Sequence, residues 1–555
     1  MDLLSIQKLL QQGIFKIPSY QRGYSWQVKQ VQEFIDDLQE ASEIEEHYTG
    51  TITVVQKEET KIIKLKRFKL FDVVDGQQRL TSFTIFIHCI YIRMKDLKYD
   101  KEGLDDILLN VIFKKETILQ LHDEVHQFYI DFISDNLTEQ YKPKNKSEQN
   151  ILNAKKYISR FLNDKSIDEV GDFYTTLMDK FKINFFVLSK ELDVGVVFET
   201  MNNRGLPLTK MDMVKNYLVY LASKLGDIQL AKQINIDFGS IYENLMNIDA
   251  SSVQEDDVLR YSFIIYTGNS GENIYQDIKN LLPKKEAKRK DILSYLTFLK
   301  ETSEIYSKIK IYDFKDREVK ILMKKILWLE TSGNFFPLLI SLCKKYKESE
   351  ILIPLQLIEK YSFRVFKIID KRSSTGKNKL RIFSHEILLN KPSINEVCKW
   401  LVDEIKDYAK DEVFRLALDV KNFFIQQDPK EISYFFYEYE CYLHNYQKSS
   451  FKLLDFEDFK KSIKDKTLSI EHIAPQKPEH GKELSQVQKL GNLTITYDNT
   501  KLSNKPFHTK MSIYKQSNLL VENNLIKHST SRWEDSNIGD RTKELLTFAL
   551  DRWKI

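Results

Sequence analysis

The sequence predicts an α+β chain that is predominantly helical, and three observations carry the prediction. Runs rich in β-branched and aromatic residues cluster before about residue 75, with one more at 183–189, INFFVLS. From residue 226 to about 440, apolar residues recur at helical spacing with few breakers, as in VKILMKKILWL from Val319 to Leu329. After about residue 450 an apolar–polar alternation, LSIEHIA, is followed by a polar stretch, a second strand-like run and helices. These shifts divide the chain into residues 1–225, α/β with a helical extension, then 226–440, all helical, then 441–555, a small α/β region.

Taken in order, a short helix at Ser5–Gln12 leads into extended FKIP, and a second helix begins near Val28. Two strands are expected over Tyr48–Gln56 and Ile62–Val74, the second ending in DGQQR and passing into an apolar helix from Leu80. That helix, Leu80–Ile92, is interrupted by Thr, Ser, His and Cys and falls short of the ~20 residues that span a bilayer. It therefore reads as a buried helix. Asn202, Asn203 and Gly205 form a polar turn before a helix that opens near Thr209.

The 84 basic and 80 acidic residues leave a net charge of +4, so any surface for nucleic acid is local. The four cysteines, Cys89, Cys343, Cys398 and Cys441, lack CxxC spacing, which argues against a disulfide framework and a structural zinc site and suits a reducing cytosol. The start, MDLLSIQKLLQQ, lacks the basic and long apolar segments of a signal peptide, and a cytoplasmic protein without a membrane partner is expected. The histidines of His122-Asp123-Glu124-Val125-His126 have zincin-like spacing, but the glutamate is one position out of place.

The densest chemistry lies in Ser469–Lys510, where SIEHIAPQ, LGNLTITYDN and KLSNKPFHTK follow one another within 42 residues. A histidine at a strand end, a strand carrying an Asn, and an Asn-rich loop entering a helix is the order of a ββα-metal nuclease finger. His472, neutral near pH 7, takes a proton from the attacking water in that reading. Glu471 and an Asn oxygen from the loop offer hard ligands to Mg²⁺ or Mn²⁺. Asn492 ties the hairpin loop so that the His472 ring keeps its aim, and Lys510 contacts a neighbouring phosphate.

Two N-terminal motifs stand out, IPSYQRGYSW (Ile17–Trp26) and DVVDGQQRLTS (Asp72–Ser82). In the second, Gly76 permits a tight turn and Arg79 stands where a helix begins. Free N–H groups and the dipole at such a helix start favour an anion. Arg22 and Arg79 are candidates to clamp phosphates, Asp75 to hold Mg²⁺ or orient an arginine, and Tyr20, Tyr24 or Trp26 to stack on a base.

Together, SIEHIAPQ, LGNLTITYDN and LSNKPF..K, followed by RWEDSNIGDR, resemble the C-terminal HNH-type nuclease domain of the GmrSD type IV restriction family, over roughly residues 415–550. The two N-terminal motifs and FETMNNRGLPLTKMDMVKNYL (Phe198–Leu218) resemble the N-terminal domain of the same family, with a ParB/sulfiredoxin-like fold. The resemblance implies His472 as general base, Glu471 as metal ligand and Asn492 as the central Asn. Asn499 best matches the last metal position, with Asn504 or His508 as alternatives. It implies nucleotide binding and hydrolysis at Tyr20, Gln21, Arg22, Asp75, Gly76, Gln77, Gln78 and Arg79. Trp533, Ile538 and Arg541 match a W-x4-I-x2-R closing helix, whose expected role is to anchor the C-terminal helix to the core. The implied activity is a metal-dependent, nucleotide-regulated endonuclease acting in phage defence on modified double-stranded DNA, with Mg²⁺ or Mn²⁺ and an NTP as cofactors and a homo-oligomer as one possible state. A non-cutting nucleotide switch that binds DNA, and an RNA-directed toxin-like nuclease, are the alternatives.

Overall fold

Burial and strand pairing set the architecture that the periodicity suggests. The structure, a computed structural model, describes the chain except residues 1, 19–22, 44–45, 64–65, 114–115, 122, 139, 189–208, 247, 249–251, 448–450 and 479–482. It is mostly helical, with a mixed sheet in its N-terminal part. The chain divides into two compact units, 1–263 with 271–307, and 264–270 with 308–555.

The first unit is built on a six-stranded sheet. Its strands are β1 (Asp2–Ser5), β2 (Gly13–Lys16), β3 (His47–Ile63), β4 (Lys66–Asp75), β7 (Leu119–Gln120) and β8 (Phe181–Leu188), with β5 (Ile112–Phe113) and β6 (Glu116–Thr117) forming a separate small ladder. The order across the sheet is β1-β8-β3-β4-β2-β7. The β3–β4 and β1–β8 pairs are antiparallel, whereas β3–β8, β2–β4 and β2–β7 are parallel. The expected run at 48–56 lies in β3, that at 62–74 falls partly at the end of β3 and mostly in β4, and the described part of the run at 183–189 lies in β8, so that β3 stands between β4 and β8. The edge strands β1 and β7, of four and two residues, are too short to print an alternation in sequence.

The helix Gln77–Asp96 is buried on almost every side, and that is why its sequence shows no polar stripe. Phe34, from the amphipathic helix Val28–Ala41, meets Phe83, Phe86 and Phe181 at ring separations of 5.8, 5.6 and 6.1 Å. Helix and sheet therefore share one aromatic core, and the start of Gln77–Asp96 is fixed against the end of β4. The helix expected near Thr209 runs over Lys210–Lys224, capped by the Thr209 hydroxyl, which accepts from the Asp212 N–H at 3.1 Å.

Among its described residues the second unit is helical apart from one hairpin, β9 (Ser469–His472) and β10 (Leu493–Thr496). Its core joins Phe363, stacked on Trp553 at 4.2 Å, to the aromatic helix Pro429–Gln447 and to Leu490, Leu493 and Ile495 of the hairpin. The Asn-rich segment after β10 is not all loop, since Asn499–Leu502 forms a short helix before the helix Phe507–Gln516. Among the described residues, no helix is long and apolar enough to cross a membrane.

Candidate functional site

His472 and Leu493 are opposed in the β9–β10 ladder, as are Glu471 and Thr494. Strand residues alternate faces, so Glu471 and His472 leave the hairpin in opposite directions. The His472 ring packs edge-on to Phe424 at 4.5 Å. The Gln476 amide lies 3.1 Å from Nε2 and donates to the Gln488 carbonyl oxygen at 3.3 Å, while that oxygen is itself 3.3 Å from Nε2. With the ring proton on Nδ1, Gln476 donates to both, and the Nε2 lone pair is the accepting group. Burial pulls the His472 pKa down to about 4, helped by the charge of Lys510 and opposed by the Gln488 oxygen, to which a protonated Nε2 would donate. The ring is thus neutral near pH 7, as a base must be. Gln476 and Gln488 were not singled out from the sequence. Gln476 stands in the EHIAPQ motif, and its spacing of four from His472 was the signal available.

Asn492 is completely buried and joins both arms of the hairpin. Its amide donates to the Ala474 and Val487 carbonyls at 3.0 and 2.8 Å, and its oxygen accepts from the Ala474 N–H at 2.9 Å. Its backbone carbonyl accepts from the Ile473 N–H at 2.9 Å. An Asn supplies donor and acceptor on one short arm, which this turn needs.

Behind β10 the helix Asp535–Arg552 passes very close. A Cβ on Gly491 would lie 2.2 Å from the Ile538 carbonyl oxygen, so only glycine fits. From the same helix, Arg541 donates to the Gly491 and Leu493 carbonyls at 2.9 and 2.5 Å. Trp533 packs on Phe507 at 4.9 Å. The Trp–Ile–Arg pattern thus braces the hairpin from its far side.

The structure gives Lys510 a different partner from the phosphate that the sequence suggested. Its side chain is 0% exposed, and its ammonium donates to the Glu471 carboxylate and to the His472 and Ile473 carbonyls, the last two at 2.9 and 3.4 Å. An i,i+3 step inward from Phe507 on an amphipathic helix places position 510 on the core side, which spacing from the motif did not reveal. Burial pushes the Glu471 carboxyl above and the Lys510 ammonium below their ordinary values, each opposed by the other's charge.

The remaining metal candidates do not join Glu471. Asn499 is exposed and donates to the Ser469 hydroxyl at 2.7 Å, and Asn504 and His508 are exposed. Among the described residues, no three His, Cys, Asp or Glu side chains gather as a metal site. In this arrangement the donor set does not fit a divalent ion, because its one carboxylate is buried and committed to an ammonium.

At the N-terminal junction, Gly76 adopts φ +93° and caps the helix Gln77–Asp96. A side chain there would strike Ile52. The Gln78 amide accepts from the Ser25 N–H at 2.8 Å and donates to the Gly23 carbonyl at 3.2 Å. Arg79 donates to the Thr51 carbonyl at 3.1 Å. Burial raises the Asp75 carboxyl, opposed by the Gly76 N–H and the Arg79 charge. The cavity lined by Gly23, Tyr24, Gln77, Gln78, Thr81 and Ser147, with three apolar neighbours, holds about 10 Å³, the room of about one water. Tyr20, Gln21 and Arg22, and also Asn202, Asn203 and Gly205, lie outside the described residues.

Comparison with known proteins adds two findings. Residues 6–219 match the family model for the GmrSD restriction endonuclease N-terminal domain, and residues 408–548 match that for the GmrSD C-terminal domain. A search of curated proteins finds no match. The two matches stand in the order of the motifs, with His472 and its hairpin inside the second and DGQQR inside the first. The chain belongs to the GmrSD restriction endonuclease family, type IV restriction nucleases whose substrate is DNA.

Proposed function

We propose that this chain is an HNH-type endonuclease that cuts modified foreign DNA in phage defence, with His472 as general base and a nucleotide-dependent N-terminal domain of ParB/sulfiredoxin-like fold. The observation that carries the proposal is His472 at a strand end, its Nε2 edged by two amides and its backbone neighbours tied by Asn492, with burial holding its pKa below the ordinary value. Nε2 takes a proton from the water that attacks the phosphorus as the bond to the 3′-oxygen breaks and that oxygen leaves to be protonated by solvent, and such base catalysis contributes about 10²–10⁴-fold in rate. Asn492 holds the loop in which that aim is set. Mg²⁺ or Mn²⁺ belongs to the proposal as cofactor, and no step is assigned to it while Glu471 is held by Lys510.

The N-terminal part of the proposal is NTP binding and hydrolysis by Asp75, Gly76, Gln77, Gln78 and Arg79, together with Tyr20, Gln21 and Arg22 of the first motif. A helix start capped by a left-handed glycine supports it. Location in the cytoplasm and a homo-oligomeric state complete the reading.

The test compares wild type with His472→Ala on modified and unmodified duplex DNA and on RNA, with Mg²⁺ or Mn²⁺, with and without NTP. Cutting of DNA by the wild type alone is the expected result. Equal survival of every DNA with both proteins sinks the nuclease reading, and preferential cutting of RNA selects the toxin-like alternative. For the nucleotide site, Arg79→Ala is expected to abolish NTP hydrolysis, and undiminished turnover removes that assignment.

A further inference from the structure

We propose that Lys510 is the resident cation of the Glu471 carboxylate, and that the pair is a positioning clamp on the strand end presenting His472 instead of part of a divalent-ion site. The inference rests on the nuclease reading of His472 and assigns the two residues a role that reading left to metal and phosphate.

Four observations lead there. Strand alternation turns Glu471 away from His472, onto the face covered by the helix Phe507–Gln516. Glu471 is 5% and Lys510 0% exposed, so neither reaches a DNA backbone without rearrangement. An ammonium has three N–H donors, and three acceptors surround this one: a Glu471 oxygen and the carbonyls of His472 and Ile473. A divalent ion on Glu471 would bring a second cation beside a buried ammonium, and expelling Lys510 would take a donor from the part-buried His472 carbonyl and the buried Ile473 carbonyl.

The backbone shows what the clamp does. The carbonyls of residues 472 and 473 are held by Lys510, the N–H of 473 by the Asn492 carbonyl, and both polar groups of 474 by the Asn492 side chain. Every backbone polar group from the His472 carbonyl to the Ala474 carbonyl is therefore fixed. Lys510 fixes one end of that segment and Asn492 the other. Glu471 keeps the ammonium charged and in place within the protein interior.

The experiment uses the full chain with Glu471→Gln, Lys510→Met and the double variant. Mn²⁺ binding, followed by electron paramagnetic resonance, is expected to stay within about twofold of wild type in Glu471→Gln, whereas loss of even an outer-shell partner of a metal costs about 10–100-fold. Lys510→Met strands a buried carboxylate and is expected to lower Tm by on the order of ten degrees, and the double variant to recover at least half of that. In the folded double variant, kcat for DNA cutting is expected to fall about 10²-fold with KM within about twofold, since His472 is misplaced while the DNA surface is intact. A loss of about tenfold or more in Mn²⁺ affinity on Glu471→Gln overturns the proposal, as does a double variant no more stable than Lys510→Met. If wild type and His472→Ala both leave DNA uncut, the nuclease reading falls, and the binding and unfolding measurements still decide the clamp.

Discussion

Two strand ends carry polar runs into a turn, Asp75 in the N-terminal unit and His472 in the C-terminal one, and they spend those residues differently. After Asp75, Gln78 and Arg79 turn back onto backbone: Gln78 to residues 23 and 25, Arg79 to Thr51. The cavity left beside them is water-sized. Around His472 the bracing is delegated to Asn492, Lys510 and Arg541, which frees the imidazole to face two amides. A reactive group is exposed to chemistry when other side chains satisfy the backbone for it. At the first junction, the conspicuous polar residues are themselves the braces.

Variants grade that contrast. Asn492→Ala removes three side-chain bonds to buried backbone groups and is expected to cost about 3 kcal/mol or more, read by denaturant unfolding of the C-terminal unit. Gly491→Ala drives a methyl into the Ile538 carbonyl and is expected to cost about 2–3 kcal/mol, with cutting falling as the hairpin shifts. Gln78→Ala, losing two bonds at a partly buried site, is expected to cost about 1–2 kcal/mol. If it proves as damaging as Asn492→Ala, the two junctions are equivalent and the contrast collapses.

The smallest effect at neutral pH concerns the titration of His472. Its folded pKa, about 4, lies below the ordinary value of 6.5, so the folded state binds fewer protons than the unfolded one as pH drops. The stability it contributes is present above about 6.5 and is lost as pH falls from there through about 4. The acid limb of cutting is expected near the lower value, with a flat profile from pH 6 to 8. An acid limb at 6.5 in kcat/KM shows the ring to be solvated in solution and not held against the two amides, which removes its side of the contrast.

Much of this was legible in the sequence, for reasons that differ by residue. The strands β3, β4 and β8 announce themselves through long runs rich in β-branched and aromatic residues, and the short β10 through the alternation within LGNLTIT. Asn492 was readable because a buried turn that needs donor and acceptor on one short side chain selects Asn. Lys510 was not, since an ammonium enters a core only where a partner waits, and Glu471 is 39 residues away. The division of Glu471 and His472 between two faces follows from period-two alternation, but its meaning depends on the helix that covers one face. Gln476 and Gln488 carry no charge or metal-ligand signature, so only their distances to Nε2 reveal them.

The close approach at Gly491 has a consequence in time. The hairpin that holds His472 is complete only when Ile538, Arg541 and Thr542 have arrived to cover Gly491 and take its carbonyl. Those residues are made some fifty positions later than the glycine they cover, at about 5–20 residues per second. While a chain is being synthesised, the bonds from the DGQQR junction to residues 23, 25 and 51 can already form, whereas the strand end with His472 still lacks its brace. The order of synthesis leaves that hairpin unbraced until the helix Asp535–Arg552 has been made.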